Sequence, residues 1–116
     1  MVDTGSSYSI LHSDVWETFP EQVKEGIQQT TKSLVTVDGS LLDVVGEATV
    51  TLYLGKLRVK VDVIIANITQ AGILGFDFLE KFNATLDFSR CKLIVDKYEI
   101  TLRRQSILPR CIVELA

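Results

Sequence analysis

Ala48-Thr49-Val50-Thr51-Leu52-Tyr53-Leu54-Gly55-Lys56-Leu57-Arg58-Val59-Lys60-Val61-Asp62-Val63 is the stretch that decides the fold class. Apolar residues fall at every second position on either side of Gly55-Lys56. A period of two is the pattern of half-buried antiparallel strands, and Gly-Lys between two such runs is a turn. Upstream, Leu34, Val35 and Val37 lead into Asp38-Gly39-Ser40, a hairpin turn signal, and Leu41, Leu42, Val44 and Val45 return from it before Gly46 interrupts. Downstream, residues 64–68 extend the second strand and Gln70-Ala71-Gly72 forms a loop. Ile73-Leu74-Gly75 then precedes one short helix over 76–82, ended by Asn83. Residues 84–88, 92–95 and 98–102 are three further strand candidates.

The N-terminal third is more mixed. Tyr8 to Leu11 is a short apolar stretch. Ser13 and Asp14 are helix N-cap candidates ahead of Val15, Trp16 and Phe19, and Pro20 stops or restarts that helix. Residues 22–29 are polar and form a second short helix or a loop. The chain is therefore an all-β domain with one or two short helices. Residues 1–102 form the domain and 103–116 a C-terminal tail or linker containing Pro109.

Composition bounds the function. The chain has 116 residues, 47% hydrophobic and 23% charged, which fits one globular domain. A net charge of −3 argues against a nucleic-acid partner held by phosphate contacts. Residues 1–50 carry eight acids and two bases, residues 51–116 seven acids and ten bases; the basic excess is spread along strands and reads as a solvated face. No apolar run reaches the roughly 18 residues of a membrane span, so no membrane partner is expected. A secretory signal pattern is also lacking, so the sequon Asn67-Ile68-Thr69 is discounted. Cys91 and Cys111 are too few for a disulfide framework and have no His or Cys neighbours at zinc spacing. A reducing, cytoplasmic setting without metal or cofactor is the expectation.

Few residues offer chemistry. His12 is the only histidine, and its neighbours Ser13 and Asp14 are adjacent in sequence, which is not triad geometry. His12 is read as a surface or helix-entry residue. Asp3 stands in Val2-Asp3-Thr4-Gly5-Ser6-Ser7, at the end of a presumed strand. Backbone N–H groups of the Gly5 turn and the Thr4 hydroxyl can hold its carboxylate rigidly, as acid–base catalysis requires. The same residues also suit an aspartate that merely caps a tight turn. On this segment alone, both readings stand.

Taken in order along the chain, these segments resemble the retropepsin-like aspartic proteases of retroviruses and long-terminal-repeat retrotransposons. Val2 to Ser7 resembles the active-site loop, residues 34–45 the flap hairpin, and 48–65 the paired strands after it. Ile73-Leu74-Gly75-Phe76-Asp77-Phe78-Leu79 resembles the hydrophobic-hydrophobic-Gly motif with its helix, and 84–88 the strand that follows. The wording Ile-Leu-Gly-x-Asp-Phe-Leu is closest to gypsy-type elements. The resemblance implies an acid protease fold, a closed or partly open β-barrel. It implies an endopeptidase in which two aspartates share one proton and activate water against a peptide bond. The chain has a single Asp-Thr/Ser-Gly, so the second carboxylate would come from another copy, in a homodimer acting on an extended peptide or polyprotein. Asp3 would be catalytic, with Thr4, Gly5 and Ser6 in its loop. Val37, Asp38, Gly39 and Ser40 would form the flap, and Leu74 and Gly75 would support the loop from beneath.

The family pattern places a strand, and usually a hairpin, before the active-site loop, whereas Met1 and Val2 alone precede Asp3 here. The expectation is an N-terminally truncated domain or a piece of a polyprotein. The alternative to a peptidase is a catalytically inactive domain of the same fold that dimerises or binds peptide at a sheet edge. A pepsin-type lobe would need a second Asp-Thr/Ser-Gly in the chain.

Overall fold

The structure, a computed structural model, describes residues 1–3, 5–36 and 38–102 with their side chains, and residues 107–108 and 112–115 by their backbone pairing. Eleven strands and three helices are assigned within them. The alternating segment forms β4 (Val44–Leu54) and β5 (Leu57–Ala66), joined by the two-residue Gly55-Lys56 turn with Leu54 opposite Leu57. Ala48, Val50, Val61 and Val63 face inward, while Thr49, Thr51, Lys60 and Asp62 face water. Gly46 is where the register shifts, a bulge that lets Gln28 bridge to Glu47.

From Ile64 to Ala66 the alternation ceases and every residue is buried. Ile65 packs into the main core, Ile64 and Ala66 into a second apolar cluster, and β2 (Ile10–His12) pairs parallel with this end of β5 along its free edge. β6 (Gly72–Ile73) pairs antiparallel with the other edge of β2, giving the sheet order β4-β5-β2-β6. β7 (Thr85–Asp87), β8 (Lys92–Val95) and β9 (Tyr98–Thr101) form a separate antiparallel sheet that sends Leu93 and Val95 into the core. β3 (Ser33–Thr36) pairs with β11 (Ile112–Leu115), and β1 (Val2–Asp3) with β10 (Ile107–Leu108). The sheets do not close into a barrel. No helix among the described residues is long and apolar enough to cross a membrane.

The helices are α1 (Ser13–Glu17), α2 (Glu21–Lys24) and α3 (Phe76–Lys81), one more than the sequence pattern predicts as its upper count. α1 is capped by His12 rather than by Ser13 or Asp14: its Nδ1 accepts the Asp14 amide at 2.9 Å. The ring nitrogen reaches the N2 amide as a serine oxygen would, which makes His12 a helix-entry residue. Trp16 of α1 and Phe78 and Leu79 of α3 anchor the main core beneath β4, β5 and β8. A second apolar cluster gathers Ile10, Leu34, Ile64, Ala66, Ile68 and Ile73, and so ties β3 to the strands beside Asp3.

Candidate active site

Asp3 ends β1 and is 0% exposed. Its backbone is fixed from across the chain: its amide donates to the Leu74 carbonyl at 2.9 Å, and the Leu74 amide donates to the Met1 carbonyl at 2.7 Å. Locally, the Gly5 amide donates to Asp3 Oδ1 at 2.9 Å and the Ser6 amide to the Asp3 carbonyl at 3.2 Å. A carboxylate that receives a backbone N–H at the end of a strand is both a turn cap and a rigidly held acid. The two readings of Asp3 left open by the sequence describe one geometry. Thr4 lies outside the described residues.

After Gly5 the chain is held by α3. The Phe76 amide donates to the Ser6 carbonyl at 2.6 Å and the Asp77 amide to the Ser7 carbonyl at 3.1 Å. Ser6 is buried, and its hydroxyl donates to the Tyr8 carbonyl at 2.7 Å. Gly75, the N-cap of α3, sits directly on this loop. A Cβ there would stand 2.3 Å from the Tyr8 carbonyl oxygen and 2.7 Å from that of Ser6. Its φ of −95° is ordinary, so close approach rather than backbone freedom requires glycine.

Ser9 and Asp77 complete the support, and neither stands out as a site residue in the sequence. The buried Ser9 hydroxyl donates to Asp77 Oδ1 at 2.7 Å and receives the Gly75 amide at 3.1 Å. The Ser9 amide reaches Asp77 Oδ2 at 3.1 Å, and Oδ1 also accepts the Phe78 amide at 2.6 Å. One carboxylate thus joins the strand after the Asp3 loop to the first turn of α3. An acid in the first turn after Gly75 is the one sequence signal for this role. Its partner lies 68 residues away and no local pattern names it.

The other segment expected at the site, the Asp38 hairpin, is held locally. The Thr36 hydroxyl and the Ser40 amide both donate to Asp38 Oδ1, the latter at 2.9 Å. These bonds, the Thr36 hydroxyl first, hold the exposed Asp38 carboxyl down to about 2. Gly39 has φ +90°, and its amide donates to the Thr36 carbonyl at 3.0 Å. The return arm differs from a full strand: one bridge joins Val35 to Leu41, and the Leu42 amide donates to Leu34. Leu41 is 72% exposed, and on its other side β3 is flanked by β11. Val37 lies outside the described residues.

Beside the Ser9–Asp77 pair lies a polar cleft of about 380 Å³, lined among others by Tyr8, Ser9, Lys32, Glu47, Asp62 and Asp77. Lys32 lies over the Tyr8 ring and 3.2 Å from Glu47. The Thr30 hydroxyl and then Lys32 keep the Glu47 carboxyl below its ordinary range. Asp3 is not among the lining residues of this cleft.

Two comparisons bear on this arrangement. Residues 1–78 match a family model described as aspartyl protease. The crystal structure of the retroviral protease-like domain of Ddi1 from Leishmania major superposes with a TM-score of 0.72 at 17% sequence identity. The match covers 90% of this chain and 83% of that one.

Proposed function

Because the chain belongs to the aspartyl protease family and has a retropepsin-like fold, we propose that it is an endopeptidase whose active unit is a homodimer with one Asp3 from each copy at the two-fold axis. The observation that carries this reading is Asp3 itself. It is the aspartate of the single Asp-Thr/Ser-Gly in the chain, buried, and locked between a local turn and the Leu74 strand. Proton transfer in a transition state needs an acid whose position does not wander, and this one is fixed on both flanks.

In the dimer the two carboxylates share one proton. The ionised one takes a proton from water, which attacks the peptide carbonyl. The protonated one hydrogen-bonds the carbonyl oxygen, and the pair acts as a unit with neither role fixed. The Asp38 hairpin is the flap that closes over the extended peptide and excludes water. Ser6, Leu74 and Gly75 position the loop without touching the reacting atoms. Processing of a retrotransposon polyprotein in the cytoplasm is the setting this reading favours.

Asp3→Asn tests it. The variant should keep the fold by circular dichroism and lose all hydrolysis of a peptide library that the unmodified chain cleaves. Sedimentation should show that cleavage follows the dimer fraction. Hydrolysis retained by Asp3→Asn overturns the assignment. A chain that dimerises and binds peptide without ever cleaving it is instead the inactive relative of this fold.

A further inference from the structure

Two strands near the C-terminus pair with β1 and with β3. β10 runs parallel to β1 with Leu108 opposite Asp3. β11 runs antiparallel to β3 with Val113 opposite Val35. On its other side β1 has Leu74, and β3 has Leu41. Both strands therefore have neighbours on each side. An extended peptide binds a sheet by adding itself to an edge, its main chain completing the ladder. Here the chain's own segment takes that place. In the same arrangement Asp3 is 0% exposed.

We propose that β10 and β11 are an intramolecular peptide mimic: β11 on the hairpin arm β3 and β10 on the Asp3 strand hold the single chain closed, and an extended peptide competes with β11 for the β3 edge. The inference rests on the peptidase reading in taking β3 as the peptide edge. The two ladders are short, two and four residue pairs, against ten pairs between β4 and β5. Short ladders open at the low end of the local stability scale. Pro109, between the two strands, has no N–H to give to a sheet. Displacing β11 by a peptide exchanges one antiparallel strand for another, so the hydrogen bonds nearly balance and peptide concentration decides. A closed state holding about nine-tenths of the molecules would weaken apparent peptide affinity about tenfold.

The test uses the full chain with Val113→Pro and Glu114→Pro together. Hydrogen-bonded and non-hydrogen-bonded pairs alternate in an antiparallel ladder, so one of these two prolines removes a ladder donor in either phase. The probe is a fluorescent peptide with the sequence of residues 107–115, Cys replaced by Ser, and both chains carry Asp3→Asn so that binding is read without cleavage. Release of β11 should speed amide exchange at residues 33–36, leave β4 and β5 protected, and tighten probe binding about tenfold. Unchanged exchange at 33–36 overturns the proposal, as does exposure of those amides with no gain in binding. Should the double variant lose β4–β5 protection, the Asp3→Asn chain without the prolines decides: saturating probe should deprotect residues 112–115, and continued protection there with the probe bound overturns the proposal. If binding behaves as expected while no chain with Asp3 cleaves any peptide, the peptidase reading fails and the closed-tail inference stands.

Discussion

Asp3 and Asp38 make the same local bond. In each, Oδ1 accepts the backbone amide two residues on, at 2.9 Å. Around Asp38 the remaining partners are Thr36 and Ser40, all within one turn, and the carboxyl is exposed. At Asp3 the amide donates to Leu74, whose own amide donates to Met1, the Ser6 and Ser7 carbonyls that follow are held by α3, and Asp3 is buried. One aspartate turn is made part of a rigid floor and the other is left as a tip. What separates them is not local chemistry but whether chain from some 70 positions away packs against the loop. On the proposed peptidase reading this division is useful: the acid must stay put, and the cover must move.

The floor should break hardest at Gly75. An alanine methyl would press on two carbonyl oxygens, neither of them the end of a flexible side chain. Either α3 or the 6–8 loop must shift, at a cost of about 3 kcal/mol. Urea unfolding of Gly75→Ala should show that loss, with peptide cleavage falling further as Asp3 moves. A variant within about 0.5 kcal/mol of the unmodified chain would mean that the floor is softer than its contacts indicate.

Asp77→Ala comes next. It removes the acceptor for the Ser9 hydroxyl, the Ser9 amide and the Phe78 amide at once. Donors left without partners in a half-buried site cost about 2 kcal/mol together, and amide exchange should rise over residues 6–9 before the β4–β5 hairpin responds. Ser9→Ala, which keeps the acid, should cost less. Equal losses for the two would assign the support to Ser9 rather than to the carboxylate.

At the tip, Gly39→Ala meets open space, and its cost is conformational alone. A φ of +90° strains any residue with a Cβ by about 1 kcal/mol. Because the hairpin is held locally, the strain should stay local: Leu41 and Asp38 resonances shift while those of Ser6 and Ser9 do not. A Gly39 substitution that disturbs the floor would break the division between the two regions.

How much of this was legible beforehand follows the same line. The β4–β5 hairpin, α3 and the 92–95 strand can be read from periodicity because each depends on neighbours within a few residues. The packing of Leu74 and Gly75 against the Asp3 loop follows the expected motif order. The burial of Ile64 to Ala66 on both faces and the Ser9–Asp77 pair are set by β2, β3 and α3 arriving from elsewhere. No local pattern carries them. The cap of α1 was missed for a different reason: Ser13 and Asp14 are the common capping types, but His12 already reaches the same amide from one position earlier.

The smallest effect is a titration. Asp38 is held to about 2 chiefly by the Thr36 hydroxyl, then by the Ser40 amide. A carboxyl depressed in the folded chain stabilises it fully above the ordinary aspartate value near 4, and that contribution is lost as pH falls towards about 2. The hairpin should therefore loosen between about pH 4 and 2 while the Asp3 floor, held by backbone bonds from Leu74 and α3, keeps its amide protection. Thr36→Val removes the leading donor without changing side-chain size much. Carbon-detected titration should then place the Asp38 transition closer to the ordinary value and start the loosening at higher pH. An unmoved transition would assign the hold to Ser40, and loosening of the floor over the same pH range would show that tip and floor are one cooperative unit after all.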